Sequence, residues 1–239
     1  IIVFIYKFIF SLSKKNIYLV QNQEDKIFLI NNLNINNNYI KIIKGSGINT
    51  NYYKRNTIKV TNDKIQVIMH SRILWDKGVK EYFDSHLIIS KKTDKFNFIL
   101  IGKNDILNPA SVDSETLVNW NSYRNFEWKD YKSNIMEELI NSDISVLPSY
   151  REGLPLSLLE DASCALGIIA SDISGSNDIV INNFTGLLVP IKNSELLAAA
   201  ILKLGNDNKL RSFLGSNARS HVKKKFSINV IAKIHIDLY

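Results

Sequence analysis

The segment from Tyr150 to Glu160, YREGLPLSLLE, carries residue types that suit the binding of an anion. It follows a short apolar run and opens a segment of helical periodicity. Pro155 is typical of the first turn of a helix, where its missing N–H costs nothing. The backbone amides of Leu156 and Ser157 would then be free donors at the positive end of a helix. Such an end is suited to a diphosphate.

Two carboxylates flank this predicted helix start. Glu152 lies in the preceding loop, and Glu160 lies about one and a half turns into the helix. Both could border one pocket and accept hydrogen bonds from the hydroxyl groups of a sugar or a ribose. A surface glutamate followed by a glutamate on a helix face would show the same spacing. On spacing alone, the two interpretations are equally open.

A second loop, residues 71–78 with the sequence SRILWDKG, carries two cations directly after a predicted strand. Arg72 and Lys77 could converge on phosphates, the arginine through its planar fork and the lysine as a point charge. Either cation alone would be better explained as solvent-facing. Their shared position after a strand favours the functional interpretation.

The elements that must position these loops follow from the pattern of apolar residues. From residue 65 onward, runs typical of buried strands alternate with segments of helical periodicity. This alternation predicts an α/β fold with a Rossmann-like, doubly wound parallel sheet. Such sheets bind ligands at the carboxyl ends of their strands, so we expect the chemistry in the loops after His70, Ile101 and Leu147. The predicted strands are 65–70, 96–101, 144–147, 168–171 and 186–189, and the predicted helices are 79–91, 134–141, 156–165, 194–204, 208–225 and 228–238.

The earlier part of the chain shows a shorter β-α-β pattern followed by Gly45 and Gly47. Glycines accept backbone angles that other residues avoid, which suits a hinge. An ordinary loop explains the glycines equally well. The predicted elements are a helix at 1–13, a strand at 17–20, a helix at 24–32 and a strand at 40–43.

Composition excludes several classes of protein. The chain has 239 residues, of which 45% are hydrophobic and 22% charged, as in ordinary globular proteins and unlike fibrous or disordered chains. The formal net charge is +7, but the basic residues are spread along the sequence. A solvated surface is the favoured explanation, and mild attraction to phosphates or to an anionic membrane face is the alternative. We expect no nucleic-acid partner.

Cys164 is the one cysteine, and it lies in an apolar stretch. It cannot form an internal disulfide, which fits a reducing compartment, and a buried packing role is favoured over a nucleophile. The apolar opening, residues 1–10, is shorter than the roughly 20 residues that span a bilayer. We therefore expect a cytoplasmic protein, or one that lies peripherally on the cytoplasmic face of the membrane. The histidines are scattered and show no metal-ligand spacing.

Together the two loops resemble the signature of glycosyltransferase family 4, retaining enzymes of the GT-B fold. The matching patterns are Glu152 and Glu160 with seven residues between them, and Arg72 with Lys77 and Gly78. Within the family, the stretches 74–78, 108–111 and 147–155 resemble a bacterial branch that builds surface polysaccharides and lipid-linked oligosaccharides. Further matches are 100–102, 142–149 and 185–190.

The resemblance implies roles for the matched residues. Arg72 and Lys77 would be catalytic, binding the donor diphosphate and stabilising the charge that develops on it. Glu152, also assigned a catalytic role, would hold the hydroxyls of the transferred sugar. The implied donor-binding residues are Gly102 at a strand end, Phe126 in the stretch 125–127 beside the base, Gly153, Leu156 and Ser157 around the diphosphate, and Glu160 on the ribose.

The implied reaction transfers a hexose or N-acetylhexosamine with retention from a nucleotide diphosphate sugar, expected to be UDP-linked, to a glycan or lipid-linked acceptor. No metal and no other cofactor is expected. Two alternatives stay open: a non-catalytic nucleotide-sugar-binding module, and a sugar-nucleotide epimerase of the same fold.

The resemblance also implies a domain division. We expect residues 1–44 to be the C-terminal remnant of an acceptor-binding first domain, 45–64 a hinge, 65–222 the donor-binding domain and 223–239 a C-terminal helix that packs back toward the first domain. The chain would then be N-terminally truncated and poorly active by itself, with the missing half or the inner membrane surface as further partners. One departure from the family pattern is Asp178, which stands where a glutamate is usual.

Overall fold

The computed structural model describes residues 16–55, 63–105 and 107–238. The helix predicted at 1–13 and residues 56–62 of the predicted hinge lie outside the described residues. The strands are β1 (Tyr18–Val20), β2 (Ile40–Ile42), β3 (Ile65–His70), β4 (Phe96–Ile101), β5 (Phe126–Lys129), β6 (Ile144–Leu147), β7 (Gly167–Ser171) and β8 (Leu187–Val189). The α-helices are α1 (Gln23–Leu33), α2 (Val79–Ser90), α3 (Ser114–Asn121), α4 (Met136–Asn141), α5 (Leu156–Ser163), α6 (Ser174–Asn177), α7 (Ser194–Asn206), α8 (Asn208–Lys225) and α9 (Ile228–Ile236).

Strands β3 to β8 form one parallel sheet in the order β5-β4-β3-β6-β7-β8. This is the doubly wound order, in which the direction of winding reverses between β3 and β6. The loops after β3 and β6 therefore diverge and leave a crevice at the carboxyl edge of the sheet. The predicted fold class is confirmed.

The central strands are buried on both faces, which explains their near-continuous apolar sequences. Val67 and Met69 of β3 belong to the core that also contains side chains of α2 and α7. Ile68 points the other way and packs in a cluster with Leu139 of α4 and Cys164. Cys164 is free and buried, so its predicted packing role is confirmed. Burial raises the pKa of its thiol to about 12.

Strands β1 and β2 form a separate two-stranded parallel sheet, with α1 as the connection between them. The chain then passes through Gly45 and Gly47, whose φ angles are +71° and +83°. Ile48 next pairs with the C-terminal region: its N–H donates to the carbonyl of Phe226 at 2.8 Å, and the N–H of Ile228 donates to the carbonyl of Ile48 at 2.9 Å. The last helix, α9, thus begins beside the segment predicted as the hinge.

The structure corrects several predicted boundaries. Helix α8 runs without a break to Lys225, so the predicted domain boundary at 222 falls inside a helix. Helix α5 ends at Ser163 rather than at residue 165, and β7 begins at Gly167 rather than at residue 168. Helix α4 begins at Met136, whose N–H donates to the side chain of Asn134. Helix α3 and strand β5 were not predicted, and β5 has a consequence for the site.

Within the described ranges, none of the helices combines the length and apolar character needed to cross a membrane.

Candidate functional site

A cavity of about 440 Å³ lies at the carboxyl edge of the sheet, at the point where the winding reverses. The loops after β3, β4 and β6 line it, as the sequence pattern predicted. It is the place where open α/β sheets bind ligands. Seven of the predicted site residues are in its wall: Arg72, Lys77, Gly102, Glu152, Leu156, Ser157 and Glu160.

Helix α5 presents its N-terminus to this cavity. Pro155 precedes the helix with extended backbone angles, and Leu156 is the first helical residue. The amides of Leu156, Ser157 and Leu158 form no hydrogen bond within the described part of the chain. Free amides at a helix N-terminus attract anions, because they carry the positive end of the helix dipole.

Lys77 and Glu152 form an ion pair inside the cavity. The Nζ of Lys77 lies 2.7 Å from the Oε1 of Glu152, and the two side chains are 15% and 12% exposed. The hydroxyl of Ser149 also donates to this oxygen, at 2.8 Å. The other carboxylate oxygen of Glu152 accepts no hydrogen bond from the described residues.

Gly78 and Gly102 allow the loops around the cavity to lie close together. Both have positive φ angles, +75° and +155°. A Cβ on Gly78 would collide with the carbonyl oxygen of Pro148 in the loop after β6, and a Cβ on Gly102 would collide with that of Ser71. The family resemblance implies that Gly102 lets a nucleotide approach the end of the strand. In the structure, the absence of a side chain at Gly102 allows the backbone of Ser71 to lie close to it.

Arg72 is exposed at the mouth of the cavity. Its guanidinium forms neither a hydrogen bond nor an ion pair with any residue in the ranges 16–55, 63–105 and 107–238. Its five donors are therefore available to an anionic ligand. Lys103 and Lys132 also line the cavity. Lys103 adds to its positive charge, whereas Lys132 pairs with Glu138.

Glu160 is held from two sides. Its Oε1 accepts a hydrogen bond from the hydroxyl of Tyr53 at 2.7 Å, and its Oε2 lies 3.8 Å from the Nδ1 of His70. Burial raises the pKa of the Glu160 carboxyl, and the Tyr53 hydrogen bond and His70 oppose that rise. Burial and the nearby Glu160 also raise the pKa of Tyr53.

His70 and Asp161 are functional candidates that sequence reasoning missed. The Nε2 of His70 lies 2.8 Å from the Oδ1 of Asp161, whose other oxygen accepts a hydrogen bond from Ser145. Burial by itself would lower the pKa of His70, but the Asp161 carboxylate outweighs it, and the pKa is raised. The available signals were the position of His70 at the end of a strand and of Asp161 next to Glu160.

Two predicted site residues do not line the cavity. Phe126 is 5% exposed and packs edge-on against Phe83, with ring centroids 5.1 Å apart. It lies in β5, where successive side chains point to opposite faces, and it points into the core beneath α2. This position in the core does not support the prediction that Phe126 lies beside a bound base. The segment 131–133 lines the cavity instead.

Gly153 is also outside the cavity wall. Its carbonyl packs closely against Gly175 in α6, where a Cβ would collide with the carbonyl oxygen of Glu152. Gly153 therefore belongs to the loop that supports Glu152, and its predicted contact with the donor is not supported by this geometry.

Comparison with known proteins identifies the family to which this fold and site belong. Residues 51–221 match the model of the family described as "Glycosyl transferases group 1". That range covers most of the chain, and the chain belongs to this family.

Individual relatives agree with the family assignment. The N,N'-diacetylbacillosaminyl-diphospho-undecaprenol alpha-1,3-N-acetylgalactosaminyltransferase of Campylobacter jejuni is 34% identical over 248 residues, covering 98% of this chain and 62% of the relative. A glycosyltransferase structure from Rickettsia africae has a TM-score of 0.81 at 21% identity, covering 94% of this chain and 62% of that one. A structure of Anabaena HepE in complex with UDP has a TM-score of 0.79 at 17% identity, covering 92% and 62%. The two structures support the fold, and the chain spans about 62% of the length of each of these three proteins.

Proposed function

We propose that the chain supplies the donor-binding half of a retaining glycosyltransferase. Its substrate is a nucleotide diphosphate sugar, with a uridine base and a hexose or N-acetylhexosamine. Transfer goes to a glycan or lipid-linked acceptor in the synthesis of surface polysaccharide or a related glycan. We place this reaction in the cytoplasm or on the cytoplasmic face of the membrane.

One observation carries the proposal: cations, free amides and carboxylates converge on a single cavity. Arg72 and the amides of α5 suit a diphosphate, whereas Glu152 and Glu160 suit hydroxyl groups on either side of it. A nucleotide diphosphate sugar has this distribution of groups, with a ribose at one end and a sugar at the other.

The charges of the site suit the bond that must break. Transfer cleaves the bond between the anomeric carbon and the diphosphate oxygen, and the electron pair stays on the diphosphate. Arg72, Lys77 and the amides of Leu156 and Ser157 stabilise this growing negative charge. The acceptor hydroxyl forms the new bond to the anomeric carbon, and its proton passes to the oxygen of the departing diphosphate. Because these groups already supply positive charge, the proposed reaction uses no metal.

The relatives support the substrate class. The Campylobacter relative is named for transfer of N-acetylgalactosamine to an undecaprenol-linked sugar, and HepE is described with UDP. An Escherichia coli relative that is 28% identical over 145 residues is named for transfer of galactose from UDP-galactose to a diphosphoundecaprenol-linked acceptor. We propose for this chain a hexose or N-acetylhexosamine donor and a glycan or lipid-linked acceptor.

Calorimetric titration of UDP into the purified chain tests the proposal. We expect saturable binding by the wild-type chain, equal in EDTA and in magnesium. Arg72→Ala should weaken it at least tenfold, since a hydrogen bond to a charged group contributes about 1.5–3 kcal/mol. The matched control is Arg124→Ala, because Arg124 is 77% exposed and pairs with Asp94 away from the cavity.

Cooperative melting without any binding of UDP or of guanosine diphosphate would contradict the proposal. Binding without transfer, when donor sugars and acceptors are supplied together with a first-domain half, would favour the binding module. Conversion of the sugar without an acceptor would favour the epimerase.

A further inference from the structure

His70 borders the cavity but has no role in the sugar transfer proposed for it. It is the last residue of β3, and its side chain is 10% exposed. On one side its Nε2 lies 2.8 Å from Asp161, and on the other its Nδ1 lies 3.8 Å from Glu160. The imidazole is therefore placed between a fully buried carboxylate and one that lines the cavity.

Asp161 fixes the orientation of this ring. Its side chain is 1% exposed, and both of its oxygens are used: one by His70 and the other by the hydroxyl of Ser145. A buried carboxylate is stabilised by a donor, which assigns the proton to the Nε2 of His70. The Nδ1 of the ring then faces Glu160.

Glu160 has its two oxygens directed by different partners. The Tyr53 hydroxyl donates to Oε1, and His70 faces Oε2. A carboxylate has about four acceptor positions, so this leaves lone pairs for hydroxyl groups in the cavity. A cation at His70 would keep Glu160 ionised despite its burial.

We propose that protonated His70 is a positioning residue that holds Glu160 ionised and oriented to accept the ribose hydroxyls of the donor. This inference rests on the proposed function and extends it. It assigns the His70–Asp161 pair to the nucleoside end of the substrate, and it makes recognition of the ribose dependent on pH.

The charges around His70 decide the direction of that dependence. Asp161 and Glu160 favour the protonated ring, whereas burial opposes it. Four cations also line the cavity: Arg72, Lys77, Lys103 and Lys132. The uncharged Tyr53 and Ser145 contact the two carboxylates. The pKa of His70 is raised on balance, so its contribution is present at lower pH and is lost as the pH rises through that raised pKa.

The acidic limit comes from Glu160. Burial raises the pKa of Glu160, so this carboxylate becomes protonated as the pH falls through that raised value. Ribose recognition is therefore strongest between the pKa of Glu160 and the pKa of His70.

A comparison of UDP with 2′,3′-dideoxyuridine diphosphate tests the inference, because the two ligands differ only in the ribose hydroxyls. We expect the wild-type chain to prefer UDP and His70→Ala to reduce that preference about tenfold. Affinity for the dideoxy ligand should stay nearly unchanged. The matched control is His235→Ala, since His235 lies beside β1 and β2 rather than at this cavity. If His70→Ala does not melt cooperatively, His70→Gln takes its place, because its amide can still donate to Asp161.

Asp161→Asn provides a second measurement, whose result would not change if His70 had only a structural role. It removes the charge that favours the imidazolium and keeps the size of the side chain. We expect the alkaline loss of UDP preference to move to lower pH, together with the NMR titration midpoint of His70.

The outcomes separate the inference from the proposed function. If the folded wild-type chain binds no UDP, the proposed function fails and the inference fails with it. If it binds and prefers UDP while His70→Ala keeps that preference, only the inference is overturned. Equal weakening of both ligands by His70→Ala would also overturn it, because the effect would not involve the ribose.

Discussion

At the residue scale, the pair formed by Lys77 and Glu152 has two tasks in the proposed site. Lys77 supplies charge for the diphosphate, and it also neutralises a carboxylate that is 12% exposed. Lys77→Met should weaken UDP binding at least tenfold and lower the melting temperature, because it leaves Glu152 without a cationic partner. Titration and thermal melting measure the two effects.

The control for that change is Lys80→Met. Lys80 pairs with Asp84 on the surface of α2, and its side chain is 60% exposed. Exposed pairs of this kind contribute about 1 kcal/mol or less. Equal effects of the two methionine variants on UDP affinity would contradict the role assigned to Lys77.

Ala165 carries strain that a single substitution should relieve. It follows α5 with a φ of +57°, in the left-handed region that favours glycine. Ala165→Gly should raise the free energy of unfolding by about 0.5–1 kcal/mol, because the relief of strain exceeds the added entropy of the unfolded chain. Denaturant unfolding measures the change.

Ala200→Gly is the matched control, because Ala200 lies inside α7 and is buried. It should lower the stability by about 1 kcal/mol or more. A destabilised Ala165→Gly variant would contradict the explanation from backbone strain.

At the element scale, the N-terminus of α5 allows its amides to be tested without changing a charge. Proline fits the first position of a helix, and Pro155 already has the extended conformation that a residue before proline requires. Leu156→Pro should therefore leave stability nearly unchanged while it removes one amide donor. We expect UDP binding to weaken about tenfold.

Leu156→Ala separates the amide from the side chain, which is 51% exposed in the cavity wall. It should retain most of the affinity. If calorimetry gives the two variants the same affinity for UDP, the amide of Leu156 does not contact the diphosphate.

Strand β5 distinguishes a core residue from a ligand contact. Phe126→Leu should lower the free energy of unfolding by about 1–2 kcal/mol, since Phe126 packs in the aromatic cluster beneath α2. Its affinity for UDP should stay within about twofold of the wild type. Tyr131→Leu is the comparison variant at the cavity, because Tyr131 is 68% exposed and lines it. A large loss of affinity in Phe126→Leu without loss of stability would restore the original prediction for this residue.

Strand β5 is also an element that the sequence pattern did not predict. The buried central strands and the loops after them were predicted correctly, because long apolar runs and helix-start signals are local. Strand β5 is at the edge of the sheet and mixes apolar with charged residues, FEWK, so its pattern is weak. Without that strand, the family resemblance alone placed Phe126 beside the base.

At the scale of the whole molecule, contacts between distant segments complete the site. Tyr53 lies 107 residues before Glu160 in the sequence and still donates to its carboxylate. Lys44 follows β2 and lies 2.5 Å from Asp178 beyond α6. Neither partner could be read from spacing, because only the folded chain brings these segments together. The same holds for His70 in β3 and Asp161 in α5, which are 91 residues apart in the sequence.

A crystal structure of the chain with UDP tests the proposed donor site most directly. We expect the diphosphate at the N-terminus of α5, within hydrogen-bond reach of the amides of Leu156 and Ser157 and of the Arg72 guanidinium. We also expect the ribose hydroxyls beside Glu160. A UDP molecule bound elsewhere, or bound here with its ribose away from Glu160 and its diphosphate away from α5, would contradict the proposed site.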